Sequence, residues 1–218
     1  MNEVSLEVIE GVARLTLHAP ERRNALTPEM AGALIDACEA IDSDPAVGAV
    51  LVSGSGGYFC AGAHRDALAG AGRDPAGEEM FESMGRIYRS FARVGELEPP
   101  TIAAVIGGAI GAGLNLALAT DTRIVAHDAK LISGFLQIGL HPGGGHFTLL
   151  GRAAGRETAS AMGLFGERIS GEQAVRLGLA WESLPADAVE ARALELAGRP
   201  AADPALARRT ARSMRQQL

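Results

Sequence analysis

Four glycines, Gly107, Gly108, Gly111 and Gly113, interrupt residues 101–121, TIAAVIGGAIGAGLNLALATD, between a strand-like apolar run and a helix-like one. Glycine permits positive φ and close backbone approach. The first amides of a helix have no intrahelical acceptor and lie at the positive end of its dipole. A helix from about Ala112 to Ala119 would therefore offer free N–H groups to a negative charge, either a bound phosphate or an oxyanion that forms only during reaction. Residues 111–116, GAGLNL, put leucine where a dinucleotide fingerprint needs its third glycine, and the ribose-gripping acid expected about twenty residues on is missing. Residues 102–119 carry no charge, but the central glycines and Asn115 suit a strand-to-helix turn better than a lipid-facing span.

The other residues with chemical potential are dispersed. No Walker loop, Gly-x-Ser-x-Gly elbow or His-Glu-x-x-His helix occurs, and the five histidines are scattered except for His141 and His146. No metal centre is expected. The one lysine, Lys130, falls near Asp128 in a loop-like stretch, so a Schiff base has little support. Cys38 and Cys60 are too few for a disulfide framework and read as reduced thiols. The net charge of −6 gives no footprint for nucleic acid, and 4% aromatic content disfavours stacking platforms. The chain opens Met1-Asn2-Glu3 without an apolar leader, from which a cytoplasmic protein is expected.

These groups must be positioned by alternating strands and helices. Residues 5–9 and 12–17 read as an antiparallel hairpin around Glu10-Gly11. Thr27-Pro28-Glu29 starts a helix with Met30, Leu34, Ala37 and Ile41 on one face, ending near Ser43. A buried strand follows over residues 47–53, then an apolar loop, FCAGAHR, at 59–65. Residues 70–77 are small and polar, and Met80, Met84, Ile87, Phe91 and Val94 mark an amphipathic helix. Short strands are predicted at 101–106, 122–126, 130–133 and 179–184. Residues 139–146, GLHPGGGH, form a turn opening a helix at His146. Ser170-Gly171-Glu172-Gln173 fits a capping box for a helix stopping at Gly178. Helices at 187–199 and 204–217 complete an α/β chain with helices covering the sheet.

Taken together, PERRNAL at 20–26, FCAGA at 59–63 and GGAIGAGLNLALATD at 107–121 resemble the enoyl-CoA hydratase/isomerase (crotonase) superfamily, with GLHPGGG at 139–145 and SGEQAVRLGLA at 170–180 in the same order. The resemblance implies a spiral of ββα units over residues 1–185 and a small helical oligomerisation region at 186–218. It also implies a homotrimer or dimer of trimers. Two backbone N–H groups would hold a thioester carbonyl while an enolate forms, and the matching positions are Ala63 and Ala112. Ala112 adds a methyl where the family usually has glycine. Contacts to coenzyme A would come from Arg22 or Arg23, Ala25, Leu26, Ala61, Ala63 and Arg65, with Gly108 and Gly111 of the glycine turn. Coenzyme A enters as part of the substrate, and no separate cofactor is expected.

Hydration in the family uses two glutamates; by the resemblance the first slot here holds Asn115 and the second falls at or near Phe135. No Asp or Glu lies between Glu98 and Asp121 or between Asp128 and Glu157. A positioned acid or base contributes roughly a hundred- to ten-thousandfold. Ordinary hydration is therefore disfavoured, while isomerisation or other enolate chemistry stays open. His141 is the candidate proton shuttle. His64, Asp66, His146 and Cys60 read as loop or packing residues. The alternative is a non-catalytic acyl-CoA carrier or sensor. Arg208, Arg209, Arg212 and Arg215 read as a solvated helix face rather than a coenzyme phosphate site.

Overall fold

The computed structural model describes residues 3–68 and 78–217. The small, polar stretch at 70–77 lies outside them. Strands β1 (Val4–Ile9) and β2 (Val12–Leu17) form the expected hairpin. Glu10 and Gly11 turn it with φ of 50° and 76°, the double positive φ that a two-residue turn needs to match strand twist. Helix α1 (Pro28–Ser43) starts as predicted, with the Thr27 side chain accepting the Met30 amide at 3.1 Å. Its face of Met30, Leu34, Cys38 and Ile41 is buried.

The chain then winds with a regular step. Strand β3 (Ala49–Gly54) is followed by α2 (Glu78–Gly95). Strands β4 (Thr101–Val105) and β5 (Gly108–Ile110) precede α3 (Ala112–Ala119). Strands β6 (Thr122–Ala126) and β7 (Lys130–Ile132) precede α4 (His146–Leu164), which breaks at Gly155. One sheet runs β1-β2-β3-β4-β6-β9, with β9 at Glu182–Leu184, and is parallel from β2 onward, and a second runs β5-β7-β8, with β8 at Arg168–Ser170. Each ββα turn thus gives one strand to each sheet. In the turn beginning with β3, the second strand shrinks to one bridge, Cys60 to Ala109. Strand β8 (Arg168–Ser170), α5 (Gly171–Arg176), β9 (Glu182–Leu184), α6 (Ala186–Ala201) and α7 (Pro204–Gln217) finish the chain. The capping box at Ser170 is present in both halves.

Two short strands differ from expectation. Residues 108–110 are strand β5 rather than turn, because the Cys60 and Lys130 segments supply hydrogen-bonding neighbours on both sides. Strand β8 pairs antiparallel with β7 and extends the same sheet. The expected boundary at 185/186 falls between β9 and α6, and the core crosses it: Val189, Ala193 and Ala197 of α6 pack with the β3, β4 and β6 side chains.

The arginines of α7 require a correction. Arg208 turns inward, donating to the carbonyls of Ile41, Asp42, Asp44 and Val47 at 2.6–3.1 Å and pairing with Glu98 at 2.9 Å. The last carbonyls of α1 have no intrahelical partner, and a guanidinium is the cationic fork that satisfies several at once. Arg215 binds Asp121 and the Leu97 and Pro99 carbonyls. Only Arg212, on Glu98 at 3.6 Å and largely exposed, fits the solvated reading among those with a recorded ion pair.

Candidate functional site

The loop from Phe59 to His64 is held on both flanks. Asn24, buried and at φ 54°, accepts the Ala19 amide at 2.8 Å and donates to the Ser55 and Tyr58 carbonyls at 3.0 and 2.6 Å. Its short amide side chain tolerates the left-handed region and stitches residues 19–25 to 55–58. Cys60 pairs with the Gly108 and Ile110 backbone, while Ala61 N–H donates to Arg23 O at 3.0 Å. Leu26 bridges Ala63 through Gly62 O at 2.7 Å and His64 N–H at 2.8 Å. The trans peptide between Gly62 and Ala63 sets the Ala63 N–H opposite the Gly62 carbonyl, hence away from Leu26.

Across from it stands the N-terminus of α3. Gly111 donates to Ile132 O at 2.9 Å with φ 55° and ψ −117°, so Ala112 is the first helical residue and its amide is one of the helix's unpaired donors. Among the described residues neither the Ala63 nor the Ala112 N–H has an acceptor. The two segments press together: a Cβ on Gly62, at φ 94°, would stand 2.6 Å from Ile110 O and 3.5 Å from the Ala112 nitrogen. Both residues line a cavity of about 330 Å³ with Met84, Tyr88, Phe135, Leu140 and His141 among its walls. No Asp or Glu is among the described lining residues.

Behind that cavity lies a buried polar chain that sequence reasoning missed. Ser133, His146 and Asn115 are 3%, 1% and 0% exposed. Asn115 Nδ2 donates to Gly143 O at 3.3 Å, which turns its Oδ1 toward His146 Nδ1 at 2.7 Å. An amide oxygen only accepts, so Nδ1 carries the hydrogen and Nε2 keeps its lone pair. That lone pair faces Ser133 Oγ at 2.5 Å, whose hydroxyl donates to it. Burial between the Phe135 and Phe147 rings lowers the His146 pKa to about 4 and keeps the imidazole neutral. Of the three residues, Ser133 is the one that lines the cavity.

A sequence profile of the enoyl-CoA hydratase/isomerase family matches residues 7–218. The chain belongs to the enoyl-CoA hydratase/isomerase family. It is 47% identical over 201 residues to a probable enoyl-CoA hydratase of Mycobacterium tuberculosis, covering 92% of this chain and 76% of the relative. It is 35% identical over 207 residues to the 1,2-epoxyphenylacetyl-CoA isomerase of Escherichia coli, covering 94% of this chain and 78% of that protein. The crystal structure of an enoyl-CoA hydratase from a Polaromonas species superposes with a TM-score of 0.85 at 35% identity, over 91% of this chain and 77% of that one.

For this family member, the remaining predicted residues sort by position. Ala61, Ala63, Arg65, Gly111, Ala112 and His141 all line the cavity. Asn115 sits behind it. Ala25 and Leu26 are buried beneath the loop that carries Ala63, and Arg22 is tied to Glu3 at 2.6 Å and Glu21 at 3.0 Å. Arg23 stacks over the Tyr58 ring at 5.6 Å. Gly108 packs against Tyr58, whose hydroxyl stands 2.5 Å from where a Cβ would be. His64 faces Asp66, two residues on, at 3.5 Å. Cys60 is fully buried and its thiol is pushed up to about 12 by that burial, which removes it as a nucleophile at neutral pH. Lys130 is exposed at the start of β7. Among the described residues no group of three or more His, Cys, Asp or Glu is placed to hold a metal ion, and no helix is long and apolar enough to cross a membrane.

Proposed function

We propose that this protein binds an acyl-CoA thioester with its carbonyl oxygen between the Ala63 and Ala112 amides, and that its chemistry is isomerisation or another enolate reaction rather than hydration. What supports this reading is that Ala63 and Ala112, whose N–H groups have no acceptor among the described residues, both line one apolar cavity whose described walls hold no carboxylate. Donors fixed in a dry site stabilise charge developing on oxygen without reorganising. Adding water to a double bond needs a group that takes one proton and gives another, and by the resemblance the family's two glutamate slots fall at Asn115 and at or near Phe135. Arg65 and His141 at the cavity wall would meet the polar parts of the ligand. The exposed Leu136, Ile138, Leu164 and Phe165 suit burial in a homotrimer. The lack of carboxylates also favours a second reading, an acyl-CoA carrier that binds without turnover.

The test compares butyryl-CoA with its thioether analogue S-butyl-CoA by calorimetry. Two hydrogen bonds at about 0.5–1.5 kcal/mol each make the thioester bind roughly 5- to 150-fold tighter. Equal affinities would sink the amide-pair reading. Rapid conversion of crotonyl-CoA to the 3-hydroxy product would sink the exclusion of hydration. Proton exchange at carbon two of the bound thioester in deuterated water separates the enzyme from the carrier.

A further inference from the structure

We propose that Ser133, His146 and Asn115 form a nucleophile, base and positioning residue that cleave the bound acyl-CoA thioester through an acyl-serine. The inference rests on the thioester-binding reading above and adds an activity to it. Three independent features of the fold assemble the set. Strand β7 ends at Ile132, so Ser133 is delivered to the cavity wall, with its carbonyl 3.6 Å from where a Gly111 Cβ would stand. Gly111 immediately precedes the Ala112 amide, so serine and proposed oxyanion donor share one rim. His146 opens α4 and reaches back to Ser133 Oγ at 2.5 Å, and Asn115, one turn into α3, fixes its other nitrogen at 2.7 Å.

The hydrogen-bond directions are those a serine nucleophile requires. Gly143 O accepts from the Asn115 amide and so orients it, the amide oxygen accepts from Nδ1–H and fixes the proton there, and the free Nε2 pair receives the serine hydroxyl. Of the three, Ser133 alone is among the described residues lining the cavity.

The reaction balances with water as the only co-substrate. Ser133 Oγ bonds to the thioester carbon as its proton passes to His146 Nε2, and the carbonyl electron pair moves onto the oxygen between the two amides. On collapse the oxygen's pair re-forms the carbonyl, the C–S bond breaks, and the sulfur leaves with the bonding pair and takes the proton from His146 as coenzyme A thiol. Water then attacks the ester and yields its proton to His146. The C–Oγ bond breaks, Ser133 recovers the proton, and a carboxylic acid is released. A neutral amide supports the transient imidazolium less well than a carboxylate, so turnover is slow.

The experiment incubates the full chain with butyryl-CoA, a saturated thioester that cannot be hydrated, and follows free thiol release and the intact mass of the protein. The expected result is thiol release with a butyryl adduct on the peptide carrying Ser133. Ser133→Ala abolishes both while still binding butyryl-CoA, and His146→Ala slows release a hundredfold or more. With the His146 pKa lowered to about 4, kcat/KM holds level down to that pH, and Asn115→Asp moves its acid limb upward because a carboxylate stabilises the imidazolium. Binding without thiol release, or an adduct on another residue, overturns this inference and leaves thioester binding intact. Absence of binding overturns both. The wild-type adduct needs no variant, so a poorly folded Ser133→Ala does not leave the proposal unjudged.

Discussion

At the residue scale, His146 couples the candidate site to stability. Its ring meets Ser133, Asn115 and the Phe135 and Phe147 rings, and desolvation alone lowers its pKa to about 4 from 6.5. Between those values the unfolded chain binds a proton that the folded chain refuses, so stability rises with pH across that window. The contribution is complete above about pH 6.5 and declines as pH falls toward 4, by roughly 3 kcal/mol in total. Denaturant unfolding at steps between pH 7.5 and 4 measures this. Because carboxylates titrate in the same range, the wild-type slope is compared with that of His146→Gln, which lacks the imidazole and is expected to show a shallower decline. Identical slopes would mean that the imidazole ionises in the folded state as freely as in solution. The partners of His146 were not legible in the sequence. They lie 13 and 31 residues upstream, and nothing in the local pattern of GLHPGGGH announces that its last residue turns inward rather than out to solvent. The helix N-terminus at Ala112 was legible because glycine spacing marks a strand-to-helix turn locally, whereas Ala63 was reached only through the family resemblance.

At the element scale, the separation of the two amides is set by how closely α3 approaches the Cys60 strand. Gly113, at the second position of α3, lies where any Cβ would collide with the Cys60 carbonyl. Gly113→Ala therefore forces α3 away from the loop that carries Ala63. Overpacking of this kind costs about 1–3 kcal/mol, and the larger effect is expected on ligand: the preference for butyryl-CoA over S-butyl-CoA shrinks toward unity. Gly32→Ala is the contrast, since that position in α1 has nothing within 4 Å of the added methyl. It is expected to raise stability by about 0.5–1 kcal/mol with no change in ligand preference. Calorimetry and thermal unfolding of both variants decide the matter. The same crowding explains which elements the sequence concealed. Strands β5 and β8 are three residues long, too short for an alternating pattern, and exist because β7 pairs with both. Long elements with caps, such as α1 and α7, carry their own signals.

At the scale of the whole molecule, α6 and α7 close the fold, and α7 is fastened by arginines whose spacing alone looks like a solvated face. Arg208 is the main fastening, because its guanidinium meets the exposed end of α1, the Val47 carbonyl ahead of β3 and the Glu98 carboxylate ahead of β4. Its side chain is 12% exposed, so removing it leaves several carbonyls without a donor and with little access to water. A buried hydrogen bond to a charged group contributes about 1.5–3 kcal/mol, and these bonds fall together. Arg208→Met, which keeps the aliphatic stem against the core, is expected to lower stability by at least about 3 kcal/mol. Arg208→Lys recovers only a minor part, since one ammonium with three donors cannot span acceptors arranged for a planar fork. Arg212→Ala, acting on a 3.6 Å pair that is 63% exposed on the arginine side, is expected to change stability by less than about 1 kcal/mol. Hydrogen exchange locates the effect: if α7 is fastened through Arg208, protection is lost along residues 204–217 and at the end of α1 in the methionine variant, while β4 and β6 keep theirs. Uniform loss across the sheet would instead show that α7 and the core unfold only as one unit.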